Sequence, residues 1–199
     1  MPVPDRLVVA SRNAGKVREI LRICSGWPAE LLTYEDVDWA DVEETEDTYL
    51  GNALLKARAV ADATGVPALA DDSGIEVDAL GGKPGPRSAR FAGEDASDVE
   101  NLAALLQSLA GVPAGGRTAR YRAVAVVAWP EGGEVHAEAT CEGTITKKPR
   151  GDGGFGYDPA FLPEGWDRTM AELADEEKDR ISHRGRSLRA LEARLRDAG

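Results

Sequence analysis

This chain has few of the residues from which metal and disulfide sites are most often built. Its 199 residues include two cysteines and two histidines. Cys24 and Cys141 lie far apart in the sequence, with no CxxC or cysteine–histidine spacing, so neither a zinc site nor a disulfide framework is indicated. We interpret both cysteines as buried thiols, because a free cysteine behaves as a small apolar residue.

The sequence also lacks long hydrophobic runs and an excess of positive charge. Apolar residues make up 42% of it, and no stretch approaches the roughly 18 apolar residues of a membrane span. The start, MPVPDRLVVASRN, has no signal-peptide pattern, so we expect a cytoplasmic protein with no membrane partner. The net charge of −11 repels nucleic acid, so a polyanionic ligand must be small and met by a local group of lysines and arginines or by a divalent cation.

Hydrophobic patterning predicts an α/β fold with a mixed β-sheet flanked by helices, in a single domain covering residues 1–199. LVVA at residues 7–10 predicts a buried strand, and helical spacing from Ala14 predicts the first helix. A second helix begins in DTYLGNALLKARAVADATG and ends at Gly65, and the short strand VPALADD follows it.

The second half of the chain predicts a third helix, a hairpin and a last helix. Residues 78–96 predict an irregular loop, and Ser97 with Glu100 forms a capping box that starts the third helix. The runs RYRAVAVVAW and EVHAEATCEGTI predict an antiparallel hairpin, and GRSLRALEARLRDAG predicts the last helix. The expected sheet therefore contains one or two parallel strands and this hairpin.

The segment SRNAGK, residues 11–16, lies at the predicted turn from the first strand to the first helix. One interpretation is that Ser11 or Asn13 caps the helix and that Lys16 is solvated. The alternative is a phosphate site, because a lysine in the first turn opposes the helix dipole by about 0.3–1 kcal/mol unless an anion binds there. The segment is not a Walker A loop, since its first glycine is absent and Val17 replaces the serine or threonine.

The stretch ALADDSG places two carboxylates directly after an apolar run and before a predicted turn through Ser73 and Gly74. Neighbouring residues of a strand point to opposite faces, so we expect one of Asp71 and Asp72 to be catalytic and the other structural. The alternation does not choose between them.

A second acidic segment, DVEETED, precedes the second helix. Its Glu43 and Glu44 are candidate magnesium ligands, because Mg²⁺ prefers one or two carboxylates with water and phosphate oxygens. The alternative is an ordinary acidic surface.

The segment GGFGYDP combines glycines with aromatic rings. Its glycines allow the backbone to approach a planar ligand, and Phe155 or Tyr157 offers a stacking face, with Asp158 as a hydrogen-bond acceptor. The alternative is a glycine-rich turn whose aromatic ring packs in the core.

The segment KDRISHRG carries Lys178, His183 and Arg184 before the last predicted helix, with Ser182 as its candidate N-cap. Cationic groups at a helix N-terminus favour an anionic or carbonyl partner. His136, in a predicted strand, is interpreted as structural.

Together these blocks describe a nucleotide site, and the chain resembles the family of inosine/xanthosine triphosphate pyrophosphatases. The matching blocks are SRNAGKVREI, EETEDTYLGNALLKA, ALADDSGIEVDALGGKPGPRSARFAGEDA, GGFGYDPAFLP and AELADEEKDRISHRGRSL. The resemblance implies hydrolysis of non-standard purine nucleoside triphosphates (dITP, ITP, XTP) to the monophosphate and pyrophosphate, with Mg²⁺ (magnesium) as cofactor. It also implies an elongated sheet, two lobes with the active site in the cleft between them, and a homodimer.

The resemblance further implies roles for single residues. Asp72 and Lys16 are the expected catalytic residues, and Glu44 with Asp72 the expected metal ligands. The expected substrate-binding residues are Ser11, Arg12, Asn13, Ala14, Gly15, Lys16, Lys56, Ser73, Phe155, Gly156, Tyr157, Asp158, Lys178, His183 and Arg184. A 6-keto purine offers a carbonyl and a ring N–H, which suit donors from His183 or Arg184 and an acceptor such as Asp158. Arg12 stands where many family members carry glycine.

Other functions remain open at this point. A related pyrophosphatase acting on pyrimidine or modified nucleotides is distinguished by comparing rates on dITP, XTP, dUTP and GTP. A nucleotide-binding regulator without turnover is disfavoured by Asp72, Lys16 and the acidic pair before the second helix, since a sensor needs no general base. An acidic interaction domain predicts no thermal shift with nucleotide.

Overall fold

The computed structural model describes residues 3–197, which form a sheet flanked by helices. The strands are β1 (Arg6–Val9), β2 (Glu30–Leu32), β3 (Ala68–Val77), β4 (Thr118–Ala128), β5 (Glu134–Ile145) and β6 (Phe161–Pro163). The α-helices are α1 (Ala14–Ile23), α2 (Tyr49–Thr64), α3 (Asp98–Ser108), α4 (Asp175–Ile181) and α5 (His183–Asp197). Among the described helices, none has the length and apolar character needed to cross a membrane.

The six described strands form one sheet in the order β2-β1-β3-β4-β5-β6. Strand β1 pairs in parallel with β2 and with β3, whereas β6 pairs antiparallel with β5. Strands β4 and β5 are neighbours joined by residues 129–133, a connection that only an antiparallel hairpin allows. The mixed sheet confirms the predicted α/β class and the predicted hairpin.

The chain forms two compact units, and β3, β4 and β5 contribute residues to both. The first unit contains the chain up to Asp72, residues 123–139 and the chain from Arg184 onward. The second unit contains residues 73–122 and 140–183. The single domain over residues 1–199 stays a prediction, as does a cleft between two lobes.

In the first unit, side chains alternate along β3 between two buried layers. Ala68 and Ala70 pack in a cluster with α2, whereas Leu69 packs in a second cluster with α1 and α5. Asp71 and Asp72 continue this alternation, so their side chains lie in opposite layers, as the sequence predicted.

Local signals for the helix ends act as predicted. The Asn13 side chain accepts a hydrogen bond from the Lys16 backbone N–H at 3.0 Å, so Asn13 caps α1. Gly65 ends α2 in the left-handed conformation, at a φ of +68°. The capping box of α3 is present, with Ser97 and Glu100 each accepting from the other's backbone N–H.

The core of the second unit lies between the last residues of β3, α3 and β6. Ile75 and Val77 pack there with Leu105, Leu109 and Phe161, all of them buried. Both cysteines are buried thiols that form no disulfide, Cys24 in the first unit and Cys141 in the second, which confirms their interpretation.

The predicted turn directly after Asp72 is wrong, because β3 continues through Ser73 and Gly74 to Val77. Serine and glycine favour turns locally, but tertiary contacts extend the strand. One of them is visible at Ile75, whose backbone N–H donates to Ser88 Oγ at 2.8 Å.

Three short elements were not predicted, namely β2, β6 and α4. Two of them are three-residue strands, which are too short to show an alternation. Lys178 lies inside α4. The last helix, α5, begins at His183, so His183 and Arg184 form its first turn rather than preceding it as predicted. The predicted irregular loop at residues 78–96 contains two short 3₁₀ helices, Asp78–Leu80 and Gly85–Arg90.

Candidate active site

Two lysines from different helices of the first unit converge on one backbone carbonyl of β3. Lys16 Nζ donates to the carbonyl oxygen of Asp71 at 3.4 Å, and Lys56 Nζ donates to the same oxygen at 3.0 Å. Lys16 Nζ also lies 3.5 Å from Asp71 Oδ2. Lys16 is therefore not simply solvated, and two ammonium groups share one acceptor, with Lys16 in the first turn of α1, an arrangement that suits a phosphate.

Lys56 also joins the two carboxylates that the resemblance assigns to metal binding. Its Nζ lies 2.7 Å from Glu44 Oε1 and 3.1 Å from Asp72 Oδ1. The charges of Asp72 and Glu44 outweigh the opposing effect of burial and raise the pKa of Lys56 above its usual 10.5. Lys56 is therefore a firmly protonated bridge between these carboxylates.

Asn52 fixes the segment that carries Glu44. Its side-chain oxygen accepts from the Glu46 backbone N–H at 3.0 Å, and its side-chain nitrogen donates to the Glu46 carbonyl at 3.1 Å. The same nitrogen lies 3.5 Å from Asp72 Oδ2. One buried amide thus orients the approach to α2 and contacts Asp72, while Glu43 is exposed.

On the opposite face of β3, Asp71 forms a buried ion pair with Arg184. Arg184 Nε donates to Asp71 Oδ1 at 3.0 Å and Nη2 donates to Asp71 Oδ2 at 3.2 Å, a two-pronged geometry typical of strong arginine–carboxylate pairs. Arg184 Nη1 donates to Glu19 Oε2 at 2.5 Å. Burial acts against the charge of Arg184, but Asp71 and Glu19 raise its pKa. Asp71 therefore has the structural role that the sequence left open.

Burial also shifts the pKa of the two groups expected to do the chemistry. It raises the pKa of the Asp72 carboxyl above 3.8, and the nearby Lys56 and Lys16 offset only part of that change. It lowers the pKa of Lys16 below 10.5, against the influence of Asp71. A buried carboxylate with a raised pKa is a better proton acceptor than an ordinary aspartate.

The donor chemistry of the first unit fits a magnesium ion bound together with a substrate. The cluster around Asp71 and Asp72, here called the first cluster, has three cationic side chains (Lys16, Lys56, Arg184) and four carboxylates (Glu19, Glu44, Asp71, Asp72). Among residues 3–197, no three His, Cys, Asp or Glu side chains group as a complete protein-made metal site. Two carboxylates, completed by water and phosphate oxygens, match the preference of Mg²⁺.

In the second unit, Asp158 joins the glycine-rich segment to α4 and β4. Its Oδ2 lies 2.5 Å from Lys178 Nζ and accepts from the Phe155 backbone N–H at 2.9 Å. Its Oδ1 accepts from the Tyr121 hydroxyl at 3.2 Å. Lys178 Nζ lies 5.2 Å from the centre of the Phe155 ring, within cation–π range. Asp158, the predicted hydrogen-bond acceptor for the base, thus already accepts hydrogen bonds from other residues of the protein.

The structure distinguishes the two aromatic residues of this segment. Tyr157 is buried and its hydroxyl donates to the Ser88 carbonyl at 2.7 Å, so it packs in the core. Phe155 is half-buried, and the next backbone N–H, of Gly156, donates to Asp98 Oδ2 at 2.9 Å. Phe155 is therefore the better candidate for stacking on a base.

His183 lies in the second unit against an aromatic ring. The His183 ring stacks on Tyr121, with ring centres 4.5 Å apart and planes 5° apart.

The predicted residues around the start of α1 have contacts of their own. Arg12 donates to the Trp39 carbonyl at 2.6 Å and pairs with Asp38 and Asp41, so its guanidinium faces residues 38–41. Ser11 Oγ accepts from the Asn13 backbone N–H at 3.2 Å. Ala14 and Gly15 open α1, and Ser73 is half-buried directly after Asp72.

Comparison with known proteins identifies the family of this chain. A sequence profile of the Ham1 family matches residues 7–194. The chain belongs to the Ham1 family. It is 50% identical to a dITP/XTP pyrophosphatase of Geobacillus kaustophilus over 188 residues, which is 94% of this chain and 92% of the relative. It is 51% identical to a dITP/XTP pyrophosphatase of Geobacter sulfurreducens over 191 residues, 96% of each chain.

Solved Ham1 structures share the fold described above. A HAM1 protein from Coxiella burnetii aligns with a TM-score of 0.86 at 36% identity, covering 96% of this chain and 98% of that one. These comparisons confirm the family resemblance inferred from the sequence blocks.

Four residues that contact predicted site residues of their own unit were missed from the sequence, namely Glu19, Asn52, Ser88 and Asp98. A signal existed for the first two, because each lies on the same helix face as a predicted lysine. Glu19 follows Lys16 by three residues in α1, and Asn52 precedes Lys56 by four in α2. No comparable spacing marks the other two.

Proposed function

We propose that this Ham1 protein hydrolyses non-standard purine nucleoside triphosphates, namely dITP, ITP and XTP, to the nucleoside monophosphate and pyrophosphate. The reaction would remove these nucleotides before they enter DNA or RNA. The observation that carries the proposal is the convergence of Lys16 and Lys56 on the Asp71 carbonyl beside Asp72. Relatives about half identical to this chain, called dITP/XTP pyrophosphatases, support it.

In the proposed reaction, a water oxygen attacks the α-phosphorus and the bond to the oxygen bridging the α- and β-phosphates breaks. Asp72 accepts the proton that the water loses, a role that suits a carboxylate whose pKa burial raises. Lys16 and Lys56 stabilise the negative charge that develops on the departing pyrophosphate. The products are then a nucleoside monophosphate and a pyrophosphate.

We further propose Mg²⁺ as the cofactor, with Glu44 and Asp72 as its protein ligands. When bound, such a cation neutralises triphosphate charge and favours ionisation of a coordinated water. The two carboxylates are already directed to a common point, the Lys56 ammonium, which supports their assignment as a pair. Asn52 contacts Asp72 and anchors the segment before α2, and so orients both ligands.

For base recognition, we propose that Phe155 stacks on the purine while Asp158 and Lys178 fix the position of Phe155. His183 would be a hydrogen-bond donor to the 6-keto oxygen, oriented by its stacking on Tyr121. A site built around such a donor discriminates against adenine by about 10⁴ or more, because adenine leaves the donor unpaired. Arg184, with donors already directed at Asp71 and Glu19, is proposed to orient the phosphate end of the site.

We also propose a cytoplasmic homodimer as the working form of this protein. Two buried cysteines that form no disulfide support a reducing compartment, and the homodimer follows from the family resemblance alone. Light scattering on the purified full chain measures the oligomeric state, and a monomer at micromolar concentration would refute that part of the proposal.

The proposed activity is tested by measuring products on dITP, XTP, dUTP and GTP, with and without Mg²⁺. We expect pyrophosphate rather than orthophosphate, turnover that requires the cation, and higher kcat/KM on dITP and XTP than on GTP. Release of orthophosphate, or a preference for dUTP, would reject the assignment in favour of a different hydrolase.

A further inference from the structure

The Lys56 ammonium lies where the two proposed metal ligands meet. It is 2.7 Å from Glu44 Oε1 and 3.1 Å from Asp72 Oδ1, and its side chain is 12% exposed. Its third acceptor is the Asp71 carbonyl oxygen at 3.0 Å. One positive charge therefore already joins the carboxylates that a divalent cation would need.

We propose that Lys56 and the divalent cation alternate at this carboxylate pair, so that metal binding displaces the ammonium and frees it for phosphate. The inference rests on the proposed metal ligands, Glu44 and Asp72, and adds a conformational step to them. Lys56 would then have two positions, one on the carboxylates without metal and one on the substrate with it.

Simultaneous occupation of the pair is disfavoured by distance and charge. Magnesium needs ligand oxygens at about 2.0–2.1 Å and dehydrates reluctantly, so it requires unobstructed access to both carboxylates. An ammonium that remained on Glu44 Oε1 and Asp72 Oδ1 would lie within a few ångströms of the dication, where like charges repel strongly. One of the two cations must therefore leave.

The displaced ammonium has a nearby place to go. The Asp71 carbonyl already accepts from Lys56 and also from Lys16, so it can retain Lys56 after the carboxylate contacts break. A lysine has a flexible four-carbon stem and three equivalent donors, which permit this shift without movement of α2. Displacement would thus place a second positive charge beside Lys16, where the leaving pyrophosphate needs it.

The test measures binding of Mn²⁺ alone to the full chain, without nucleotide, from the electron paramagnetic resonance of free Mn²⁺. Replacing Lys56→Met removes the competitor and is expected to tighten Mn²⁺ binding by about tenfold or more. Lys16→Met is the matched control, because it removes the same charge nearby, whereas the described ion pair and hydrogen bond of Lys16 both go to Asp71. It should change the affinity by less than about threefold. Equal tightening in both variants would overturn the inference and leave only a general field effect.

Two further variants separate this inference from the proposed metal site. Glu44→Gln and Asp72→Asn should each weaken Mn²⁺ binding. If they do and Lys56→Met does not tighten it, the alternation is wrong and the metal ligands stand. If neither weakens binding, or no variant binds Mn²⁺ measurably, both the ligand assignment and the alternation fail.

A measurement on the unmutated protein covers the case in which Lys56→Met does not fold. The ¹⁵Nζ signal of Lys56, assigned by its loss in Lys56→Arg, should be protected from solvent exchange without metal. Titration with Mg²⁺ should reduce that protection, because two of the three acceptors are lost and the Asp71 carbonyl remains. Unchanged protection at saturating Mg²⁺ would overturn the proposal.

Discussion

The two units of this chain each contain a buried lysine–aspartate pair, but the pairs differ in balance and exposure. In the second unit, Lys178 Nζ lies 2.5 Å from Asp158 Oδ2 and their side chains are each 5% exposed. In the first unit, Lys56 contacts two carboxylates, and the side chains of Lys56, Lys16 and Glu44 are 12%, 16% and 26% exposed. Of these two groups, the one in the first unit is the more accessible and has more carboxylates than cations.

This difference indicates what each cluster is suited to do. An enclosed pair whose carboxylate also accepts from a backbone N–H and a hydroxyl fixes the conformation of the loop around it. An accessible cluster with more carboxylates than cations can exchange partners when a charged ligand arrives. Chemistry is therefore expected from the first unit, and positioning of the base from the second.

The largest expected effect is on kcat, and it compares the same substitution, aspartate to asparagine, at Asp72 of the first unit and at Asp158 of the second. Asp72→Asn should lower kcat by about 10²–10⁴, because the amide accepts no proton from the attacking water. Asp158→Asn should lower kcat much less but reduce thermal stability, because Lys178 loses its buried partner. Steady-state kinetics on dITP with circular dichroism checks both, and normal turnover by a folded Asp72→Asn protein would contradict the assignment of the base.

The next effect concerns stability and compares the two buried cations. Arg184→Met leaves Asp71 and Glu19 buried without their main partner and should reduce the free energy of unfolding by about 3–5 kcal/mol. Lys178→Met leaves only Asp158, which keeps donors from Phe155 and Tyr121, so the loss should be smaller. Urea denaturation measures both values, and an equal or larger loss in Lys178→Met would contradict the expected order of the two clusters.

A smaller effect tests how tightly the second cluster, Asp158 with Lys178, is enclosed. Gly154 and Gly156 both have left-handed φ values, +69° and +61°, so alanine at either position costs about 1–2 kcal/mol in backbone strain. At Gly154 the added Cβ would also approach Asp158 Oδ2 and Lys178 Nζ, whereas at Gly156 nothing lies within 4 Å. Gly154→Ala should therefore lose more stability and raise the KM for dITP. Equal stability and KM in the two variants would refute the tight enclosure.

The smallest effect contrasts the buried carboxylates with an exposed one of the second unit. Hydrogen bonds from Ser97 hold the pKa of Glu100 below its usual 4.5 in the folded protein. The resulting stabilisation is fully present above pH 4.5 and is lost as the pH falls through the lower folded value. Unfolding curves of Glu100→Gln should differ from the unmutated protein above that range and converge with it in stronger acid. A constant difference down to the lowest pH would show that the charge of Glu100 is not involved.

Periodicity predicted the part of the site that depends on strand geometry. The opposite orientation of Asp71 and Asp72 follows from the two-residue repeat of any strand, and the structure confirms it through their different partners. The length of β3 could not be predicted in the same way, because Ser73 and Gly74 carry a strong local turn preference. Contacts distant in sequence, such as that between Ile75 and Ser88, decide that stretch.

The composition of the first cluster was predicted only in part, for a related reason. Lys16 stands out as a lysine in the first turn of a helix, whereas Lys56 and the choice of Asp72 over Asp71 came from the family resemblance. The pairing of Asp71 with Arg184 spans 113 positions, and neither residue type nor spacing indicates such a partner. The resemblance placed Arg184 with the base-binding residues, whereas its described contacts lie with carboxylates of the first unit.

Lys16 and Lys56 both donate to the backbone carbonyl oxygen of Asp71, and a side-chain substitution does not remove this acceptor. Any amino acid at position 71 supplies the same carbonyl oxygen, so an alanine scan would remove the Arg184 partner and leave the lysine anchor in place. Residue 71 therefore makes two independent contributions. Its side-chain carboxylate binds Arg184 and depends on the amino acid present, whereas its backbone carbonyl binds both lysines and does not. Only a change in backbone chemistry, such as an ester in place of the amide between residues 71 and 72, would weaken that acceptor directly.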